Sequence, residues 1–384
     1  MTTCLVLVGA YLGRGLVVSP PSEVKPSRFC DCMAINWDGG WYRDIVRGGY
    51  SFNPQANSST AFFPAYPALT WLVTKTTRIS PEIALLIVSH VCLAGALVLL
   101  AAYVRLRFGS ASGNLAAFTI LAAGAFPTAF FFRMGYSESL FLLCTVLAFY
   151  LMERKAPLWL VAVVIGLTTA CRIPGICLLC PFALHVWRSS ADKRAGVRKL
   201  LVVAPLACWG IAAFMLYTWH KFGDPLAFVT AQSTWHVRLP PSWSHKLYCL
   251  AIFEPLRSVF DSSSPGYWKI HSYHLLAACS LPAVNPLFFV LGLVLVAVGA
   301  CRRWLSPMEW SFAAALLFIG YVGRGYEMCM LSSGRFVAVV FPIYLVLGQL
   351  LCRCPAPLAS AFLALSSVFL TIYSALFAAS HFLI

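Results

Sequence analysis

Residues 81–104 read PEIALLIVSHVCLAGALVLLAAYV, a run whose one charged side chain, Glu82, sits at its start and which ends at Arg105 and Arg107. At 1.5 Å of rise per residue such a run crosses the ~30 Å hydrocarbon core of a bilayer as a helix. Working outward, comparable apolar runs recur along the whole chain, at 2–18, 114–132, 137–152, 158–187, 200–220, 275–300, 310–322, 336–351 and 358–383. The spacing predicts an all-α polytopic integral membrane protein with about ten or eleven transmembrane or half-spanning helices. Residues 158–187 exceed one span and fall short of two. They break at Cys171-Arg172-Ile173-Pro174-Gly175, which reads as two half-helices meeting at a buried turn. A single domain over 1–384 is expected, with two long polar intervals at 19–80 and 221–273.

Composition excludes the main alternatives. Sixty per cent of the residues are hydrophobic, 11% are charged, and mean hydropathy is +0.80, so a soluble domain would carry a mostly apolar surface. A transmembrane barrel would show short alternating segments instead. The net charge of +15 is scattered between apolar runs, which favours anionic membrane lipids over nucleic acid as its partner. The fifteen cysteines are dispersed, and Cys30/Cys32 and Cys352/Cys354 lack second pairs at metal-binding spacing. Residues 2–18 lack a basic leader and a cleavage signature, so a retained membrane helix is expected there.

Short loops orient the chain. Arg105/Arg107, Arg154/Lys155, the cluster from Arg188 to Lys199, Arg302/Arg303 and Arg353 mark the cytoplasmic side. Both long intervals then face the opposite side. That gathers Asp38, Arg133, Glu138, Arg172, Asp224, Gln232, Glu327 and Arg335 on one face, where the site is expected. Residues 37–67, WDGGWYRDIVRGGYSFNPQANSSTAFFPAYP, are the richest polar interval. A helix here would put Arg43 and Arg47 on one side. Gly39-Gly40 permits a close backbone approach. A solvated amphipathic segment on the membrane surface is the plainer reading of the same residues.

Several short motifs occur in order. They are Trp37-Asp38, Gly49-Tyr50, Phe62-Phe63-Pro64-Ala65-Tyr66-Pro67, Tyr136-Ser137-Glu138-Ser139, Arg172-Ile173-Pro174-Gly175, Phe222-Gly223-Asp224-Pro225 with Gln232 and Trp235, and Gly334-Arg335-Phe336. Together they resemble the GPI mannosyltransferase II (PIG-V type) family of the GT-C glycosyltransferases. Two positions depart: Phe336 stands where that family usually has Tyr, and Pro174 where it has Asn. The resemblance implies a GT-C-like fold. It also implies transfer of a sugar, typically mannose from dolichyl-phosphate mannose, to a lipid or glycan acceptor on the lumenal or periplasmic side.

The residue chemistry agrees. A polyprenyl-phosphate sugar donor carries its own leaving group, so the protein must supply a carboxylate for the acceptor proton and cations for the phosphate. Asp38 is the candidate base, with Arg43 and Arg47 its expected counter-charges; a purely structural ion pair is the alternative role. Arg335 is a candidate phosphate ligand or a snorkelling helix-end arginine. Arg172, at a break, needs an anionic partner, and Glu138 is either that partner or an acceptor-orienting group. Trp37, Trp41, Arg43, Tyr136, Gln232 and Trp235 complete the expected substrate-binding set. His220, His236 and His245 show no ligand spacing, and no metal or other cofactor is expected. Asn57-Ser58-Ser59 is a glycosylation sequon. The chain's compactness favours a bacterial plasma membrane, or the ER membrane in a eukaryotic host. The resemblance leaves room for a small membrane partner subunit. Two other function classes fit the composition: a lipid-linked-sugar flippase, which would usually show internal repeats and midplane charges, and a noncatalytic subunit.

Overall fold

The computed structural model describes residues 1–20, 28–109, 112–271 and 280–381, and every regular element among them is helical. The chain opens with α1 (Thr2–Leu16), then α2 (Phe29–Ala34), α3 (Asp38–Gly48) and α4 (Ala65–Thr77). So the interval expected as a loop at 19–80 holds three helices, while its residues 21–27 lie outside the described ones. The quoted run becomes α5 (Pro81–Phe108), with Pro81 at its first turn and Gly109 at φ 87° closing it. It continues past the expected end because Arg105 and Arg107 suit the negative end of the helix.

Next come α6 (Gly113–Ala125), a 3-10 turn at Pro127–Arg133, α7 (Glu138–Glu153), α8 (Leu158–Cys171), a 3-10 turn at Ile173–Leu178, and α9 (Leu179–Arg188). α10 (Lys193–Ala207) and α11 (Trp209–Phe222) precede the second polar interval, which itself folds into α12 (Ala227–Ser233), α13 (Trp243–Ala251) and α14 (Glu254–Ser258). Five helices close the chain: α15 (Leu281–Cys301), α16 (Pro307–Gly320), α17 (Ser333–Ala338), α18 (Pro342–Arg353) and α19 (Ala356–Ala378).

Three of these, α5, α15 and α19, are long and apolar enough to cross a membrane, or up to five spans if each bent pair counts as one. The bent pairs are α6 with Pro127–Arg133, at 80°, and α10 with α11, at 46°. Pro127 and Pro205 sit at or near those bends, where a missing N–H breaks the ladder. Four further apolar helices, Thr2–Leu16, Leu158–Cys171, Ile173–Arg188 and Pro342–Arg353, are shorter, at 10–17 residues. Breaks therefore lie where single runs were expected at 114–132, 200–220 and 336–351. The basic residues from Lys193 to Lys199 belong to α10 rather than to a loop. The break expected at Cys171–Gly175 is present. The expected start at 275 and end at 383 fall outside the described residues.

The core is a continuous cluster threaded through α5, α7, α8, α15, α17 and α18. α1 and α19 pack backbone to backbone: a Cβ on Gly9 or Gly13 would lie 2.4 or 2.0 Å from a carbonyl oxygen of α19. Small residues permit such approaches between membrane helices. At one end, Glu309 caps α16 and accepts from Tyr103 and Arg107, each at 2.6 Å, tying α5 to α16. This arrangement leaves α3, the start of α7, the Arg172 break and α17 to meet at one place.

Candidate active site

Asp38 begins α3, where the unpaired N–H groups of the first turn favour a carboxylate. The preceding Trp37 is held at φ 55°, a conformation sparse for a non-glycine residue that persists where the surroundings impose it. The Asp38 backbone N–H donates to the Tyr136 hydroxyl at 3.2 Å, and that hydroxyl donates to the Asn36 carbonyl at 3.2 Å. Asn36 in turn donates to the Phe377 carbonyl at 2.9 Å, so the turn before Asp38 is fixed to both α7's approach and α19.

Two glycines allow this closeness. A Cβ on Gly39 would lie 2.1 Å from the Ala34 carbonyl oxygen, and one on Gly135 2.2 Å from the same atom. Gly135 also donates to the Met33 carbonyl at 2.9 Å. Gly39→Ala and Gly135→Ala should each destabilise the protein by about 1–3 kcal/mol through forced backbone shifts. Thermal unfolding of the purified variants checks this, with Gly113→Ala as the control, since nothing lies within 4 Å of a Cβ there.

The charges form a chain. Asp38 Oδ2 accepts from Arg335 at 2.5 Å. The Arg335 Nε donates to Glu138 Oε1, which also accepts from Arg172. Glu138 is fully buried and Arg335 nearly so, while the Asp38 side chain keeps 19% exposure. Arg335 lies over the Tyr136 ring at 4.5 Å and within 5.4 Å of the Phe131 ring stacked beside it, so aromatic faces help hold its guanidinium. Gly334 positions α17 by donating to Asn285 at 2.8 Å and accepting from Thr128 at 2.8 Å. Asp38 Oδ2 is thus anchored, whereas Oδ1 has no protein partner among the described residues.

Aromatic rings line one side. Trp41 stacks on Phe62 at 5.9 Å and meets Trp235 edge-on at 5.8 Å. Tyr42 donates to Ser137 at 2.8 Å, and burial pushes its phenol up, so it serves as a neutral donor. Gln232 donates to the Ala61 carbonyl at 3.0 Å, holding α12 and hence Trp235 against the first polar interval.

The expected set therefore divides. Asp38, Tyr136, Glu138, Arg172 and Arg335 converge, and Trp41 and Trp235 meet across the two polar intervals. The expected counter-charges of Asp38 are corrected: Arg43 pairs with Asp44 at 2.8 Å and Arg47 with Glu82 at 2.5 Å, because α3 turns both away from its own first residue. Arg335, distant in sequence, takes that role. Arg133 is fully buried and donates to Thr2 and Thr3 of α1, a structural clamp rather than a site group.

Sequence reasoning passed over Arg324. It lies in the π-helical turn Tyr321–Gly325 that prolongs α16, a geometry often found at functional sites. Its signal was Gly323-Arg324-Gly325, one cation between glycines inside an apolar run. The second interval is tied to this region. Arg238, paired with Glu254 through its two terminal nitrogens at 3.0 and 2.6 Å, donates from Nε to the Tyr326 carbonyl at 2.7 Å, and Lys246 pairs with Glu327 at 2.5 Å. Burial lowers the basicity of nearby His236.

Neither a protein-family model nor a curated protein sequence matches the chain. Among solved structures, it is similar to the archaeal oligosaccharyltransferase AglB from Archaeoglobus fulgidus in complex with an inhibitory peptide and a dolichol-phosphate. That likeness has 14% identity and a TM-score of 0.46, and covers all of this chain and 56% of that one. It is also similar to the apo form of the oligosaccharyltransferase from that organism, at 13% identity, TM-score 0.47 and 56% of that chain. A complex with Zn and sulfate gives 14%, 0.47 and 53%. The chain spans about half the length of those proteins.

Proposed function

We propose that the protein is a GT-C-type membrane glycosyltransferase that moves a sugar, mannose by the motif resemblance, from a polyprenyl-phosphate donor to a lipid or glycan acceptor on the non-cytoplasmic face. The observation that carries this reading is Asp38, with one carboxylate oxygen fixed by Arg335 and the other open beside an aromatic wall. In the reaction, the acceptor oxygen attacks the anomeric carbon while its proton passes to Asp38 Oδ1. The bond from that carbon to the phosphate oxygen breaks, its electron pair leaving with the polyprenyl phosphate. Attack opposite the leaving group turns a β-linked donor into an α-linked product. Trp41 and Trp235 offer ring faces to the sugars. An open apolar groove of about 490 Å³, between Val46, Tyr50, Trp71, Trp209 and Tyr217, begins on the α3 that carries Asp38 and suits an isoprenoid tail. A bacterial plasma membrane, or the ER membrane, would supply such a donor.

Purified protein incubated with radiolabelled polyprenyl-phosphate mannose and a membrane-lipid extract should give a labelled product separable from the donor. The corresponding glucose donor should be transferred poorly. Equal use of both sugars would remove the mannose assignment, and use of neither would remove the enzyme reading.

A further inference from the structure

Asp38 and Glu138 balance Arg335 and Arg172, two carboxylates against two guanidiniums, so that set has no net charge to offer an anion. Arg324 is a fifth charge in the same neighbourhood. Its guanidinium makes no ion pair or hydrogen bond among the described residues. It lies over the Phe336 ring at 5.4 Å, and Arg172 lies over that same ring at 5.7 Å. The charges of Asp38, Arg335 and Arg172 all reach it. Phe336 follows Arg335 on the short helix α17, which brings the third guanidinium into the same neighbourhood. The backbone between Arg324 and α17 is unusual as well: Cys329, Met330 and Ser332 hold φ of 46°, 61° and 68°. Such conformations cost energy and persist where the surroundings impose them.

The Asp38 carboxylate attracts Arg324 but is already paired with Arg335, so this partly buried cation beside two others is left short of negative charge. It is accounted for by a ligand that brings the missing negative charge. We infer that Arg324 is the phosphate anchor of the donor: it supplies the unbalanced positive charge, with Arg172 and Arg335 at the edge of the same subsite. The inference rests on the proposed donor class and adds to it the residue that reads the phosphate. A planar guanidinium suits a phosphodiester oxygen pair.

The test uses the full chain in nanodiscs with citronellyl phosphate, a short isoprenyl phosphate, alongside citronellol and inorganic phosphate. Wild type should bind citronellyl phosphate well above citronellol or inorganic phosphate. Arg324→Met should weaken citronellyl phosphate binding by about thirtyfold or more, and Arg324→Lys by about three- to tenfold. Without ligand, the Met variant should unfold at the wild-type temperature or above it, because an unbalanced cation has been removed. A purely structural arginine would instead lower that temperature and leave affinity untouched, which would overturn the inference. If wild type binds citronellyl phosphate and Arg324→Met binds it equally, the anchor is elsewhere and the donor class stands. If wild type does not distinguish citronellyl phosphate from citronellol, the donor class itself fails, and the anchor with it. Binding of inorganic phosphate as tight as that of the lipid would also overturn a lipid-linked ligand. Should the Met variant not fold, Arg324→Lys carries the test through its loss of affinity against unchanged unfolding.

Discussion

Asp38→Asn is expected to lower sugar transfer by about a thousandfold, or ~4 kcal/mol of barrier, while the protein stays folded and donor-bound. The geometry explains why an isosteric change should matter this much. Arg335 donates to one oxygen of the carboxylate at 2.5 Å, and an asparagine would turn its own oxygen there to accept that bond. Its amide nitrogen would then face the acceptor hydroxyl, a donor where a proton must be taken. Asp44 is the control in the same helix. It is 58% exposed and paired with Arg43, so Asp44→Asn should change transfer by less than about threefold. Equal losses in the two variants would move the base away from Asp38.

Glu138→Ala should have the largest effect on folding. Its side chain is 1% exposed, and one of its oxygens accepts from both Arg335 and Arg172. Removing it leaves Arg172 without a carboxylate and Arg335 with Asp38 alone, at a cost of about 3–5 kcal/mol. It also frees Arg335, so Asp38 loses the group that orients it, and transfer falls with stability. Glu138→Gln keeps an acceptor without the charge and should lie between. At the opposite extreme, Glu82→Gln disturbs a pair whose Arg47 side chain is 56% exposed, and should cost under about 1 kcal/mol. Thermal unfolding of the three variants in one detergent orders them. An unfolding temperature for Glu138→Ala equal to that of Glu82→Gln would mean the buried pairs carry no such weight.

The Glu138–Arg172 pair was legible from sequence because a charge at a helix break in a membrane segment has few affordable states, and a nearby carboxylate was available. The break itself was legible from Pro174-Gly175. The partner of Asp38 was not. Sequence proximity pointed to Arg43 and Arg47, but helical geometry carries those side chains away, and the pair that forms joins residues at opposite ends of the chain. The 80° bend between α6 and Pro127–Arg133 was hidden within an unbroken apolar run, since hydropathy records burial and not direction. A helix through Arg43 and Arg47 was legible as a possibility, but α2 and α4 were not, because short segments inside a long polar interval carry too few residues to show a period. Arg324 was passed over for a similar reason. One cation in an apolar run reads as an isolated charge until the fold sets it beside Arg172 and Arg335 with no ion pair of its own among the described residues.

The most direct measurement follows the anomeric carbon itself. Wild-type protein in nanodiscs is supplied with β-linked polyprenyl-phosphate mannose labelled with ¹³C at that carbon, together with membrane-lipid acceptors, and the signal is followed by NMR. Loss of the donor resonance and growth of an α-linked glycoside, absent with Asp38→Asn, is the result expected. A β-linked product, or a donor that stays intact with folded wild-type protein and a full acceptor extract, would contradict inverting transfer at Asp38.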